Sequence, residues 1–293
     1  MTASGATPAA AAVLPPATTI GAVHLTVQGL DRMVDFYRER IGLEELSRDG
    51  AQVRLGAGGR DLVTLVGDPR ARRPGAATGL YHLAVLVPSR AALAGALRHL
   101  ARTRTPLQGA SDHLVSEALY LADPEGNGIE IYRDRPAAQW PRGPHGIAMA
   151  TEQLDIDGLL AEAADAPEAW RAPAATRIGH VHLKVSDVAA AERFYVGVLG
   201  FELMARYGRA AGFVAAGGYH HHIGFNAWES AGAPMPPEGS AGLREFEIRL
   251  PGADDLAAVR ERLTRAGADP ADHAGTLTVR DPSGNVLALR SGD

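Results

Sequence analysis

The sequence predicts an α+β fold made of paired βαβββ modules, four in all, whose mixed sheets curve into open cups. Three observations lead there. The chain repeats itself: the segment opening IGAVHLTV at Ile20 aligns without a gap to IGHVHLKV at Ile178, and DPEGNGIEI (123–131) aligns to DPSGNVLAL (281–289) at the same offset of 158. A repeat of that length implies two similar domains. Within each copy a strand, a helix and further strands occur twice over. Finally, the strands alternate: Val23, Leu25 and Val27 point one way, His24 and Thr26 the other.

The elements follow in order. Residues 1–18 are Ala/Pro/Thr-rich, lack a basic start and read as a disordered tail, not a signal peptide. The strand GAVHLTV precedes a helix DRMVDFYRERI that stops at Gly42, a C-cap residue. Strands near AQVRLGA and DLVTLVG flank the Gly58-Gly59 turn. The pattern restarts with GLYHLAVLV, the helix SRAALAGALRHLART, and strands EALYLADP and GNGIEIY around a Pro-Glu-Gly-Asn turn. The expected domains are 19–135 and 177–293. The polar, Pro-rich linker 136–176 joins them, with a short helix at LDIDGLLAEAA.

Composition narrows the function. A net charge of -5 with no basic block argues against nucleic acid and against an anionic membrane surface as partners. The absence of cysteine excludes disulfides, thiolate metal sites and a cysteine nucleophile, and fits a cytoplasmic location. No apolar run reaches the length of a membrane span. A homodimer is expected only because symmetric dimers are common.

Three polar residues stand alone in apolar strands: His24, His82 and Glu130. Two imidazoles and a carboxylate are the donors of a facial metal site, and His24, His82 and Glu130 are the expected ligands. Burying a lone carboxylate costs on the order of several kcal/mol, which a divalent cation would offset. Strand parity sends His24, His82, Glu130 and Tyr120 to the concave face. The rival reading is three unrelated buried polar groups, each satisfied by hydrogen bonds.

At these residues the chain resembles the vicinal-oxygen-chelate superfamily, which contains glyoxalase I, bleomycin-resistance proteins and type I extradiol dioxygenases. It is most similar to two-domain catechol 2,3-dioxygenase-like members. DHLVSEALYLADPEGNGIE (112–130) follows the extradiol pattern of a His, a Tyr, a D-P-x-G turn and a Glu, with Ser111 outside the usual set two before the His. The resemblance implies two glyoxalase-like domains and a non-haem Fe(II) centre, or Mn(II) on the same ligands. It also implies a catechol-type diol and dioxygen as substrates, with His113 and Tyr120 as catalytic residues. Two departures stand out. The full triad lies in the N-terminal copy, and VTLVGDPR, where the family carries a catalytic His before the second ligand, contains none.

In the second copy His182 matches His24, but Glu245 stands at the place of His82 and Ala288 at that of Glu130. A second site of glyoxalase I type would draw on His182, His220, His222 and Glu245. His180 and Lys184 share the parity of His182 and read as pocket lining. His99, on a helix, reads as solvent-facing. Besides ring cleavage, the residues leave open a metal-dependent isomerase or lyase, and sequestration of a small aromatic without catalysis.

Overall fold

The computed structural model describes residues 13–143, 146–163 and 170–292. Residues 1–12 of the expected tail lie outside them. Residues 13–18 do not behave as a tail: Leu14 is buried, and its N–H donates to the Gly200 carbonyl at 2.8 Å. An apolar side chain next to a helix C-terminus has a core to join and a carbonyl to satisfy.

Four βαβββ modules are present. The first comprises β1 (Thr19–Val27), α1 (Leu30–Glu39), β2 (Glu44–Asp49), β3 (Gln52–Ala57) and β4 (Arg60–Gly67). The second comprises β5 (Gly79–Leu86), α2 (Arg90–Arg102), β6 (Gly109–Asp112), β7 (Ser116–Ala122) and β8 (Gly128–Asp134). Between the repeats lie β9 (Arg142–Gly143), β10 (Gly146–Ile147), β11 (Glu152–Gln153) and the expected short helix α3 (Ile156–Ala161). The third module is β12 (Arg177–Lys184), α4 (Val188–Glu192) with a π-helical turn over Arg193–Leu199, β13 (Glu202–Tyr207), β14 (Ala211–Ala215) and β15 (Ile223–Asn226). The fourth is β16 (Gly242–Leu250), α5 (Ala253–Arg265), β17 (Ala271–His273), β18 (Thr276–Arg280) and β19 (Val286–Ser291). Among the described residues no helix is long and apolar enough to cross a membrane.

The modules pair across the repeat. One sheet runs β17-β18-β19-β16-β1-β4-β3-β2 and joins the first module to the fourth. The other runs β11-β6-β7-β8-β5-β12-β15-β14-β13 and joins the second to the third. The expectation that 19–135 and 177–293 each close a cup of their own is corrected by this pairing. Each module's first strand has its last strand parallel on one side (β5 with β8, β12 with β15), leaving the other edge free. β5 and β12 satisfy those edges antiparallel, with His182 opposite His82; β1 and β16 do likewise, with His24 opposite Glu245. The repeat shows that such edges exist, but not which edge meets which.

Side-chain bonds hold the halves of each repeat together. Tyr37 of α1 donates to Asp123 at 3.2 Å, and its counterpart Tyr195 donates to Asp281 at 3.0 Å. The two D-P turns share a design: Asp123 accepts from the amides of Glu125 and Asn127, Asp281 from those of Ser283 and Asn285. Gly126 and Gly284 sit at φ 82° and 85°, where a side chain is strained. Glu125 then reaches the start of α1 and accepts from the Gln28 and Gly29 amides, an anion at a helix N-terminus.

His99 corrects its reading as solvent-facing. It is buried on α2, its Nε2 lies 2.6 Å from the Glu39 carbonyl, and its ring packs on Trp170 from the linker.

Candidate metal centre

Three titratable side chains converge on the concave face of the second sheet. β5 presents His82, Ala84 and Leu86 to that face, while Leu83 and Val85 join the main core, as alternation requires. β8 presents Glu130 and Tyr132, and β12 presents His180 and His182. Glu130 Oε2 lies 3.0 Å from His82 Nε2 and 3.0 Å from His180 Nε2, and the two nitrogens are 3.4 Å apart. All three side chains are buried, at 7% exposure for His82, 3% for Glu130 and 1% for His180. They form the group of His and acidic residues, among the described ones, whose ligand atoms lie within 4.8 Å of one another.

The electrostatics fit a cation. Burial alone would raise the Glu130 carboxyl, but the His180 and His82 imidazoles hold it well below the ordinary range. Burial meanwhile pushes His180 down, against the pull of Glu130. A neutral imidazole gives the buried carboxylate a hydrogen bond but no countercharge. Two imidazole nitrogens and one carboxylate oxygen, facing each other with no guanidinium or ammonium between them, are the donors that bind a divalent ion.

His24 is not brought to this cluster. It sits on β1 in the other sheet, with Nδ1 3.4 Å from Glu245 and Nε2 3.6 Å from Glu247. His180 joins His82 and Glu130 instead, because β5 pairs with β12 and not with β1. Its signal was visible in the repeat: IGHVHLKV differs from IGAVHLTV at two places, with His180 where Ala22 stands and Lys184 where Thr26 stands.

Tyr120 stands beside the cluster, on the face its strand parity predicts, and His113 stands next to it. Tyr120 pairs in register with Glu130 across β7 and β8, and its ring lies 5.7 Å from that of His82. Its hydroxyl is 2.7 Å from His113 Nε2, while His113 Nδ1 is 2.7 Å from the Ala150 carbonyl. A carbonyl only accepts, so Nδ1 carries the proton, and in the neutral ring Nε2 accepts from Tyr120. Burial, then the charge of Glu130, push the Tyr120 phenol well above its ordinary value, so it stays protonated.

The residues grouped as a second site are dispersed. Glu245 is with His24 in the other sheet. His182 accepts from the Asn226 amide at 2.9 Å, and its ring packs 5.0 Å from that of His82. His222 accepts from the Ala216 amide and is pushed down to about 3 by burial and by His220. His220 lies 2.8 Å from Asp134 through Nε2 and 2.8 Å from His221 through Nδ1. His221, which alternation along an ideal strand would turn away from its neighbours, packs 4.1 Å from the His180 ring. The triplet lies in the turn before β15, where strand parity does not apply.

The matched family agrees with this architecture. Residues 19–131 and 177–289 match the model of the Glyoxalase/Bleomycin resistance protein/Dioxygenase superfamily, and the chain belongs to that superfamily. It is 43% identical over 270 residues to a catechol-2,3-dioxygenase of Bacillus subtilis (strain 168), covering 90% of this chain and 94% of the relative. A crystal structure from Bacillus subtilis superposes with a TM-score of 0.64 at 13% identity, covering 96% of this chain and 86% of that one. Glyoxalase I from Zea mays superposes with a TM-score of 0.57 at 16% identity, covering 93% and 92%. These two structures establish the fold alone.

Proposed function

We propose that the protein is an extradiol ring-cleaving dioxygenase, with Fe(II) held by His82, His180 and Glu130 and a catechol-type diol as substrate. The convergence of these donors beside the Tyr120–His113 pair carries the reading, and the 43% identity to a catechol-2,3-dioxygenase supports it. When bound, the iron would supply a Lewis-acidic, redox-active centre with open positions for a diol and dioxygen.

The chain's own residues supply the rest. Tyr120, kept protonated with its O–H directed to His113 Nε2, leaves its oxygen free to accept a hydrogen bond from a substrate hydroxyl. His221 takes the acid–base role that VTLVGDPR leaves unfilled. Asp134 accepts from His220 Nε2–H, and the tautomer that suits the role has His220 Nδ1 accepting from His221 Nδ1–H. The Nε2 of His221 is thereby left as a proton acceptor, and burial, then the His180 and His220 rings, push its pKa well below the ordinary imidazole value, so it gives a proton up readily. The buried walls, with Ala84, Leu86 and Tyr132 beneath the site, exclude water from the reacting groups.

The test is iron stoichiometry of anaerobically purified protein, followed by oxygen uptake and absorbance of a yellow ring-fission product with catechol. About one iron per chain with matched oxygen uptake is expected. Bound metal without oxygen uptake would favour the isomerase or lyase reading, and neither would favour sequestration.

A further inference from the structure

Lys184 is the sole lysine of the chain. It is half-buried at the end of β12, where Leu183 and Val185 on either side are fully buried in the core. Alternation therefore puts Lys184 on the concave face with His180 and His182. Among the described residues no hydrogen bond or ion pair reaches its ammonium.

The surroundings explain why it is left over. Its register partner on β15 is Asn226, whose amide is already committed: Nδ2 donates to His182 and Oδ1 accepts from the Trp228 amide. Its partner on β5 is Gly79, and a Cβ built there meets nothing within 4 Å, so open space adjoins the lysine. Towards the metal cluster the wall is aromatic. The Tyr81 ring lies 5.1 Å from that of His182 and 5.4 Å from that of Trp228, a residue that is 47% exposed. The carboxylate of Glu229 is exposed and close enough to Tyr81 for its charge to help raise that phenol. Lys184 lies two residues beyond the level where His182 faces His82, about 7 Å along the strand. That is the reach of one benzene ring and a short substituent.

We propose that the substrate is a catechol bearing an anionic substituent, a carboxylate, which Lys184 pairs while the ring lies against Tyr81 and Trp228. The proposal rests on the catechol reading above. Its test compares 3,4-dihydroxyphenylacetate with its methyl ester, which keeps the diol and removes the charge.

For iron-loaded wild type, kcat/KM is expected to favour the acid. Lys184→Met should lower the acid-to-ester ratio by about tenfold to a hundredfold, the worth of one charge-assisted hydrogen bond. Lys184→Arg, which keeps the charge, should retain most of the preference. Equal handling of acid and ester by wild type, or an unchanged ratio in Lys184→Met, would overturn the proposal. A second arm follows anaerobic binding of the two compounds by tryptophan fluorescence. If wild type takes up no oxygen with any diol, the dioxygenase reading fails, and the acid-against-ester affinities in this arm still decide the lysine.

Discussion

At the residue scale, Glu130 is a buried carboxylate whose nearest partners are the His82 and His180 imidazoles, and burial pushes the second of these down. Glu130→Ala is therefore expected to lose the metal while circular dichroism shows the fold intact; full iron retention would count against its role as ligand. Tyr120→Phe removes one hydroxyl and no volume to speak of. It should lower kcat by about 10–100-fold with iron content unchanged, which stopped-flow absorbance would resolve.

Glu247 offers a pH test away from the centre. Burial would raise its pKa, but the neighbouring His24 imidazole and the charges of Arg290 and Arg249 bring it from the ordinary 4.5 down to about 2. A depressed carboxylate stabilises the fold above its unfolded value and loses that contribution as pH falls towards the folded one. Glu247→Gln should therefore be less stable than wild type at pH 7 in urea titrations, with the gap closing between about pH 4.5 and pH 2.

Much of this chemistry was legible. His82, Glu130 and Tyr120 stand out because an apolar strand exposes any polar residue set into it, whereas His113 was singled out by the family resemblance alone. His180 was marked by the repeat, which has Ala22 at its place, but two histidines of equal parity on one strand give no sign which of them reaches a carboxylate on another. His221 was hidden because it lies in a turn, where side-chain direction depends on local dihedrals.

At the element scale, the helices and strands with clear periodicity were readable, and the exceptions have physical causes. β2 (EELSRD) is largely exposed at a sheet edge and carries no buried alternate face, so no hydrophobic pattern marks it. The buried face of α2 includes His99 because the linker's Trp170 covers it, a contact set by segments far apart in sequence.

β7 holds a charge network that no sequence pattern signals. Glu117, 2% exposed, binds Arg133 at 2.6 Å and Arg90 of α2 at 2.9 Å, while Arg90 continues to Glu162 beyond α3. Glu117→Ala would strand the buried Arg133 guanidinium without its countercharge. The expected cost is about 3–5 kcal/mol, read from the shift in denaturant midpoint. A loss below about 1 kcal/mol would mean the network is solvated or replaceable.

At the scale of the whole molecule, the repeat announced four modules but not their pairing, since any first strand offers the same kind of free edge. The structure joins the second module to the third, so each half of the chain contributes to both sheets. The centre then depends on the two halves together: His82 and Glu130 come from one, His180 from the other. Halves expressed separately, divided within the 136–176 linker, should each bind iron weakly or not at all. Mixing them should restore binding to the extent that they reassemble, as size-exclusion chromatography with metal analysis would report.

The most direct measurement compares iron content in His180→Ala and His24→Ala under identical anaerobic purification. The cross-repeat centre predicts that His180→Ala loses its iron while His24→Ala retains about one per chain. Retention by His180→Ala with loss by His24→Ala would contradict it, and would return the centre to a single half of the chain.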